Sequence, residues 1–385
     1  MNLTPDEHEL VEFLRELVRL PSLSGQEALV AEAVEHKMRA LGYEQVRRDL
    51  LGNVIGVRRG ARPGKRILFD AHMDVVPATS PETWRYPPFS AGLADGRVWG
   101  RGSSDTKASL AAMLVALSRL PASEFSGDLL VTASVGEEIL EGASLGPLLD
   151  EYQPDLVVIG EPTGCQLGIG QRGRARLIFK THGLAAHSSS PDQSRNAVLL
   201  AAELVRRIQA LPLPNHPLVG RGLMAPIQAI SQPFPSTSTQ PYECSLWYDR
   251  RLVPGETAAG IIEEYQRGLA DMPHWSVEMV EEGYRTYTGV DLRVPDFHPG
   301  WALDPASPWV SSALPALAAA GLPVETFIAP YCTNGSASGG ERNLSTVIFG
   351  PSFIEQAHIV DESLEVAELL RGAAGYAALA RAWLC

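Results

Sequence analysis

Five short acidic or histidine-bearing segments follow one another along the chain: His72-Met73-Asp74, Asp105, Glu137-Glu138, Glu161 and His358. Carboxylates and imidazoles brought to one place repel one another unless cations stand between them. Two divalent ions about 3.5–4 Å apart, sharing one carboxylate, resolve that repulsion. Mixed nitrogen and oxygen ligation suits zinc, with cobalt or manganese as substitutes. The adjacent pair Glu137-Glu138 adds a second cue. Successive residues point in different directions, so one carboxylate can bind metal while the other stays free as a base. Asp74 lies two residues beyond His72 and is placed to orient its imidazole. Taken singly, each segment has an ordinary reading. Glu137-Glu138 suits a helix start, Asp105 an N-cap for a helix beginning near Thr106, and Glu161-Pro162 a turn. Their order and common placement favour a metal centre that activates water.

The elements that must hold these residues are legible in the pattern. Arg66–Ala71, Asp128–Ser134 and Leu156–Gly160 are short runs with continuous apolar cores. Such runs read as strands buried on both faces of a mostly parallel sheet. Helices are expected over Asp6–Arg19, Gln26–Leu41 and Lys107–Leu120, with Ser24 as a candidate N-cap for the second. His72, Glu137-Glu138 and Glu161 then fall at the carboxyl ends of strands, the edge where open α/β sheets place ligands. Near Gly173 the rhythm changes. Alternating strands at Ala175–Thr181, Ala225–Ile230, Tyr242–Arg251 and Trp275–Glu282 enclose helices at Asn196–Leu211 and Glu256–Asp271, an α+β insert of the split βαβ kind. After a Pro-rich stretch the α/β rhythm returns. The expected class is α/β, a mostly parallel sheet with helices on both faces, carrying an inserted ferredoxin-like domain. The expected boundaries are 1–173 and 287–385 for the discontinuous α/β domain and 174–286 for the insert.

Composition sets limits on partners. The 385 residues are 45% hydrophobic and carry 45 acidic against 32 basic side chains, a formal net charge of -13. Duplex nucleic acid requires a cationic face, and no dense Lys/Arg run exists. No run approaches the roughly 18 apolar residues of a membrane span. Met1 to Glu16 is acidic and helix-like and does not read as a secretory leader. Cys165, Cys244, Cys332 and Cys385 lack CxxC spacing and read as unpaired thiols of a reducing cytoplasm.

The motifs themselves resemble the M20 family of dinuclear zinc hydrolases. The matching segments are Asp70-Ala71-His72-Met73-Asp74-Val75-Val76-Pro77, Gly100-Arg101-Gly102-Ser103-Ser104-Asp105-Thr106-Lys107, Gly136-Glu137-Glu138, Gly160-Glu161-Pro162-Thr163, and Ala357-His358 followed by Asp361-Glu362. The resemblance implies that His72 and Glu161 hold one zinc, Glu138 and His358 the other, and Asp105 bridges both. It assigns Glu137 as general acid/base and Asp74 as the support of His72, and it implies a cis peptide after Asp105. It also implies that the insert is a lid through which a homodimer forms. His187, in Gly183-Leu184-Ala185-Ala186-His187-Ser188, would then stabilise the oxyanion. The implied substrate is a small N-acyl amino acid, with deacetylase-like cleavage of its amide. Desuccinylase and di- or aminopeptidase activity on a short peptide are the alternatives.

Three segments depart from the family's pattern, and the loop before the last motif bears on the substrate. Thr106 and Ala108 replace the family's usual Met and Gly. The loop Cys332–Arg342 replaces a Gly-Thr-x-Asp-Ala-Arg-like segment, which makes Asn334 and Gly335 candidate substrate contacts. Ser236–Pro241 replaces the lid's Asn-x-Ile-Pro. Arg250, in Asp249-Arg250-Arg251, is either a bidentate partner for a substrate carboxylate or an ion pair within the lid. A rival from another chemical class is a serine hydrolase, because Gly142-Ala143-Ser144-Leu145-Gly146 fits G-x-S-x-G. That elbow needs a strand running directly into the serine, and seven residues, Val135 to Glu141, intervene. A non-catalytic binding relative is the third reading; it would be expected to lack ligands or the base, and none is missing.

Overall fold

The computed structural model describes residues 3–385. The chain divides into two compact units, Met1–Gln171 with Gly283–Arg293 and Ala302–Cys385, and Arg172–Glu282 with Val294–Trp301.

The first unit is built on a sheet ordered Glu44–Arg48, Val54–Arg59, Ser126–Ser134, Arg62–His72, Leu156–Ile159, Thr346–Ile348 and Leu167–Gln171, with Thr326–Ala329 beside the last. The four strands from Ser126–Ser134 to Thr346–Ile348 run parallel. Their residues Phe69, Val131, Val158 and Val347 are fully buried, as strands covered on both faces must be. Antiparallel strands flank this block on either side.

The first helix, Pro5–Arg19, starts at a capping box in which Glu7 N donates to Thr4 Oγ1 and Thr4 N to Glu7 Oε2. Its face Leu10, Phe13, Leu14 and Leu17 enters the core. Helix Lys107–Ser118 is buried almost all round and packs against the first helix and the last, Val366–Leu384. Small side chains at Ala108, Ala111 and Ala112 permit that packing. The Lys107 ammonium, also buried, donates to the carbonyls of Leu17 (2.9 Å) and Leu20 (2.8 Å) at the carboxyl end of the first helix, where a cation is favoured.

The second unit is an antiparallel sheet ordered Leu223–Gln232, Glu243–Leu252, Gly173–His182, Trp275–Met279. Burial alternates strictly along Gly173–His182, the period-two signature of a half-covered strand. Leu177 and Phe179 meet Leu204, Ile208, Ile261 and Tyr265 from helices Ala197–Ala210 and Ala258–Gly268.

The chain returns from the second unit in two passes where the sequence suggested one near residue 287. Tyr287 donates its hydroxyl to Gly52 O at 2.7 Å, which draws Gly283–Arg293 onto the first unit. Phe297 and His298 then pair with Ala175 and Arg174, which returns Val294–Trp301 to the second.

Candidate metal centre

Four elements of the first unit deliver the acidic and imidazole groups to one edge. His72 ends strand Arg62–His72, Glu137-Glu138 follow strand Ser126–Ser134, and Glu161 follows Leu156–Ile159. All three strands are parallel, so their carboxyl ends share an edge. Asp105 precedes helix Lys107–Ser118, and His358 lies in the loop after Thr346–Ile348.

His72 Nδ1 donates to the Asp74 backbone carbonyl at 2.9 Å. That bond sets the tautomer and leaves Nε2 facing Asp105 Oδ1 at 3.2 Å. The other oxygen, Asp105 Oδ2, lies 3.1 Å from His358 Nε2, which is also 3.1 Å from Glu138 Oε2. One carboxylate therefore faces both imidazoles, one with each oxygen. Two triads result, His72/Asp105/Glu161 and Asp105/Glu138/His358, each with its donor atoms within 4.8 Å of one another. His358 is in the left-handed backbone region at φ 62°, uncommon for a residue with a Cβ.

The donor set fits divalent cations. Each triad offers one imidazole nitrogen and two carboxylates, the ligation expected of zinc, cobalt or manganese. Among the described residues, no Lys or Arg forms an ion pair with Asp105, Glu137, Glu138 or Glu161. Burial pushes the Glu137, Glu138 and Glu161 carboxyls up, and neighbouring acids push further. Burial disfavours the His72 imidazolium, yet Glu137, Asp105 and Asp74 together raise its pKa well above the usual value. His358 is raised to about 10, chiefly by its bonds to Asp105 and Glu138. Cations bound among these groups would relieve the same repulsion.

Glu137 stands apart from both triads. Its Oε2 is 3.8 Å from His72 Nε2, and the side chain is buried. Asp74 does more than flank His72. Its carboxylate accepts from Glu137 N and Glu138 N, both at 3.1 Å, and from Ser24 Oγ at 2.6 Å. It thus locks the Glu137-Glu138 turn to the His72 strand end. Ser24 was expected as an N-cap. Helix Ala28–Ala40 instead starts at Glu27 with no side-chain cap, and the serine serves Asp74.

Asp105 is held from behind by Glu362, whose Oε1 accepts from Ser104 N at 2.8 Å and Asp105 N at 3.1 Å. Glu362 Oε2 in turn pairs with Arg101, and both side chains are buried. Thr106 Oγ1 donates to Gly160 O at 2.7 Å, and the Asp105–Thr106 peptide is cis. The supporting roles of Ser24, Arg101 and the Asp74 carboxylate escaped the sequence reading. Arg101 and Glu362 both lie in the matching segments, but the 261 positions between them hide their pairing.

The expected substrate contacts lie elsewhere. Asn334 is buried, donating to Asp70 Oδ2 and Ser134 Oγ at 2.9 Å each and accepting from Gly142 N at 2.6 Å. Gly335 N donates to Thr333 Oγ1 at 3.0 Å. Both are used inside the fold and offer nothing to a ligand. Arg250 is a buried ion-pair centre of the second unit. Its five N–H groups reach Glu256, Glu264 and the Tyr265 hydroxyl, which leaves no donor for a substrate carboxylate. His187 is exposed in the second unit with Nδ1 2.8 Å from Ser189 Oγ. Ser144 donates its buried hydroxyl to Val135 O at 2.6 Å, the opposite of an exposed nucleophile.

An α/β sheet edge carrying two carboxylate-bridged triads and a free glutamate defines a metal-dependent hydrolase. Residues 68–382 match the family described as Peptidase family M20/M25/M40, and the chain belongs to it. It is 28% identical over 387 residues to the uncharacterised protein YgeY of Escherichia coli (strain K12), covering 98% of this chain and 94% of that one. It is 26% identical over 344 residues to N-formyl-4-amino-5-aminomethyl-2-methylpyrimidine deformylase of Halalkalibacterium halodurans, covering 83% and 80%. The fold is similar to that of aminopeptidase PepT from Bacillus cereus, with TM-score 0.75, 19% identity and 98% of each chain covered.

Proposed function

We propose that the protein hydrolyses the amide bond of a small N-acyl amino acid through two zinc ions. His72 and Glu161 hold one ion, Glu138 and His358 the other, and Asp105 bridges them; cobalt or manganese can substitute. The observation that carries this reading is the pair of triads sharing Asp105. Bound cations supply Lewis acidity and a water that loses its proton near neutrality. Glu137, buried beside His72 and outside both triads, is the carboxylate placed to accept a proton from the attacking water and to return it to the leaving amine. Asp74 keeps the Glu137-Glu138 turn in register with His72 through its two amide bonds.

Cleavage of a short peptide is the second reading, favoured by the likeness in fold to an aminopeptidase. A screen of N-formyl, N-acetyl and N-succinyl amino acids and of di- and tripeptides with the zinc-loaded protein separates the two. Turnover of acyl amino acids is expected. Turnover of peptides alone moves the assignment to a peptidase, and no turnover of any amide refutes both.

A homodimer forms through the second unit in this reading. Strand Leu223–Gln232 is an edge strand ten residues long with Leu223 and Ile227 exposed, a template for pairing with a second copy. Sedimentation equilibrium should give twice the chain mass, and a monomer at micromolar concentration would contradict it. The free thiols Cys165 and Cys244, both buried, suit the cytoplasm. No helix among the described residues is long and apolar enough to cross a membrane.

A further inference from the structure

Tyr284 touches the turn that carries Glu137. It stands on a hairpin of strands Glu281–Arg285 and Asp291–Pro295, closed by bonds from Gly289 N to Thr286 O and from Thr286 N to Val290 O, both 2.9 Å. Residues 283–293 of that hairpin belong to the first unit, with the candidate metal ligands. Gly136, the residue before Glu137, is in the left-handed region at φ 68°. A Cβ added to it would overlap the Tyr284 hydroxyl and the ring carbon that bears it. The end of the phenol therefore rests on the Gly136 backbone, and only glycine leaves room for it. The hydroxyl is buried and has no hydrogen-bond partner among the described residues. Buried hydroxyls are almost always bonded, so this side chain serves its place by contact and not by a bond.

The turn is tethered on either side of that contact. Val135 N donates to Asn53 Oδ1 at 3.0 Å, and Glu137 N and Glu138 N donate to Asp74. The same hairpin braces both tethers. Tyr287 donates to the carbonyl of Gly52, the neighbour of Asn53. Arg285 O passes so close to Gly25, the neighbour of Ser24, that a Cβ there would lie 2.6 Å from it, and Ser24 is the residue that bonds Asp74. Hydrogen bonds pull the turn from two sides, and the phenol is the stop it rests against.

We propose that Tyr284 is a positioning residue for Glu137, its ring seated on Gly136 so that the base-bearing turn keeps one conformation. The proposal rests on the hydrolase reading above, in which Glu137 moves the proton. A base must meet its proton within hydrogen-bond reach, and a displacement of about 1 Å can cost a hundredfold in rate. Tyr284 touches neither substrate nor metal in this account and acts only through the backbone of Gly136. A ring that merely fills a gap in the packing is the competing account.

The test compares the zinc-loaded wild type with Tyr284→Leu, too short to reach Gly136, and Tyr284→Phe, which keeps the ring carbon against it. On the amide the wild type cleaves best, Tyr284→Leu should lower kcat roughly 10–10²-fold, with KM within about twofold and zinc content unchanged. Tyr284→Phe should return to within about threefold of the wild type. In a Glu137→Ala background the leucine change should cost less than about twofold, because no base remains to be misplaced. An equal loss in both backgrounds overturns the proposal, as does a kcat for Tyr284→Leu within about threefold of the wild type, a phenylalanine variant as slow as the leucine one, or loss of zinc. If Tyr284→Leu does not fold, Tyr284→Met takes its place. If the wild type cleaves no amide, the hydrolase reading fails by itself. Hydrogen exchange of the Val135–Glu138 amides then decides for Tyr284: exchange more than about threefold faster in the leucine variant supports the brace, and rates within that factor overturn it.

Discussion

Two clusters of buried charge, one in each unit, look alike in composition and differ in balance. In the second unit the Asp296 carboxylate meets Arg176, Arg174 at 3.3 Å and His298 at 3.3 Å. Burial works against its charge, but those three partners hold its pKa well below the usual carboxylate range. In the first unit Glu137 and Glu161 are buried to a similar degree and shift the other way. The difference is the counter-charge. Asp296 pairs directly with two guanidiniums; Asp105, Glu137, Glu138 and Glu161 face two imidazoles and one another, and the Arg101 guanidinium is paired with Glu362. In this chain the cluster without a guanidinium partner is the one that offers its donors to external cations, and the cluster that has guanidiniums is satisfied within the fold.

That contrast can be broken in several places. The largest effect expected is from a chelator. Removing divalent ions should abolish hydrolysis, and zinc, cobalt or manganese should restore it; activity that survives exhaustive chelation would erase the distinction between the clusters. Next comes Glu137→Ala. Turnover should drop about 10²–10⁴-fold while metal content is retained, and near-normal turnover in the folded variant removes the proposed base.

Asp296→Asn should act on the other cluster alone. Stability should fall by about 3 kcal/mol, the low end for breaking a buried pair, because Arg174 and Arg176 keep part of their hydration. Metal content should not move, as read by urea denaturation beside elemental analysis. The smallest effect belongs to Glu27, buried near Asp74, with Oε1 accepting from Gly25 N at 3.0 Å and Oε2 without a partner. Burial, then Asp74, raises its pKa to about 7 from an ordinary 4.5. The folded state therefore holds a proton that the unfolded state has released, and stability is lost as pH rises through 7. Between pH 6 and 8 the loss is about 1 kcal/mol. Glu27→Gln should flatten that part of the profile, and an unchanged difference between the two proteins would remove Glu27 from the account.

The two clusters also differ in how much of them can be read from sequence. His72, Glu137-Glu138 and Glu161 advertise themselves because each directly follows a short apolar strand, and strand ends are where pattern and chemistry coincide. Asp296 and His298 carry no such mark. Their partners Arg174 and Arg176 are more than a hundred positions away, joined to them by strand pairing that no local pattern encodes. Asn334 misled for a related reason. Its loop occupies the place of a substrate loop, but its amide reaches Asp70, 264 positions back, and is consumed there. Arg250 could be read two ways from its neighbours, and only the approach of Glu264 and Tyr265 from the following helix decided for the internal ion pair.

The central claim is that the acids around Asp105 are held together by two cations. Elemental analysis of the zinc-reconstituted, desalted protein tests it most directly. Two ions per chain are predicted, with both lost or greatly weakened in Asp105→Ala because that carboxylate faces both triads. Fewer than one ion per chain in the wild type, or two ions that persist undiminished without Asp105, would contradict the account.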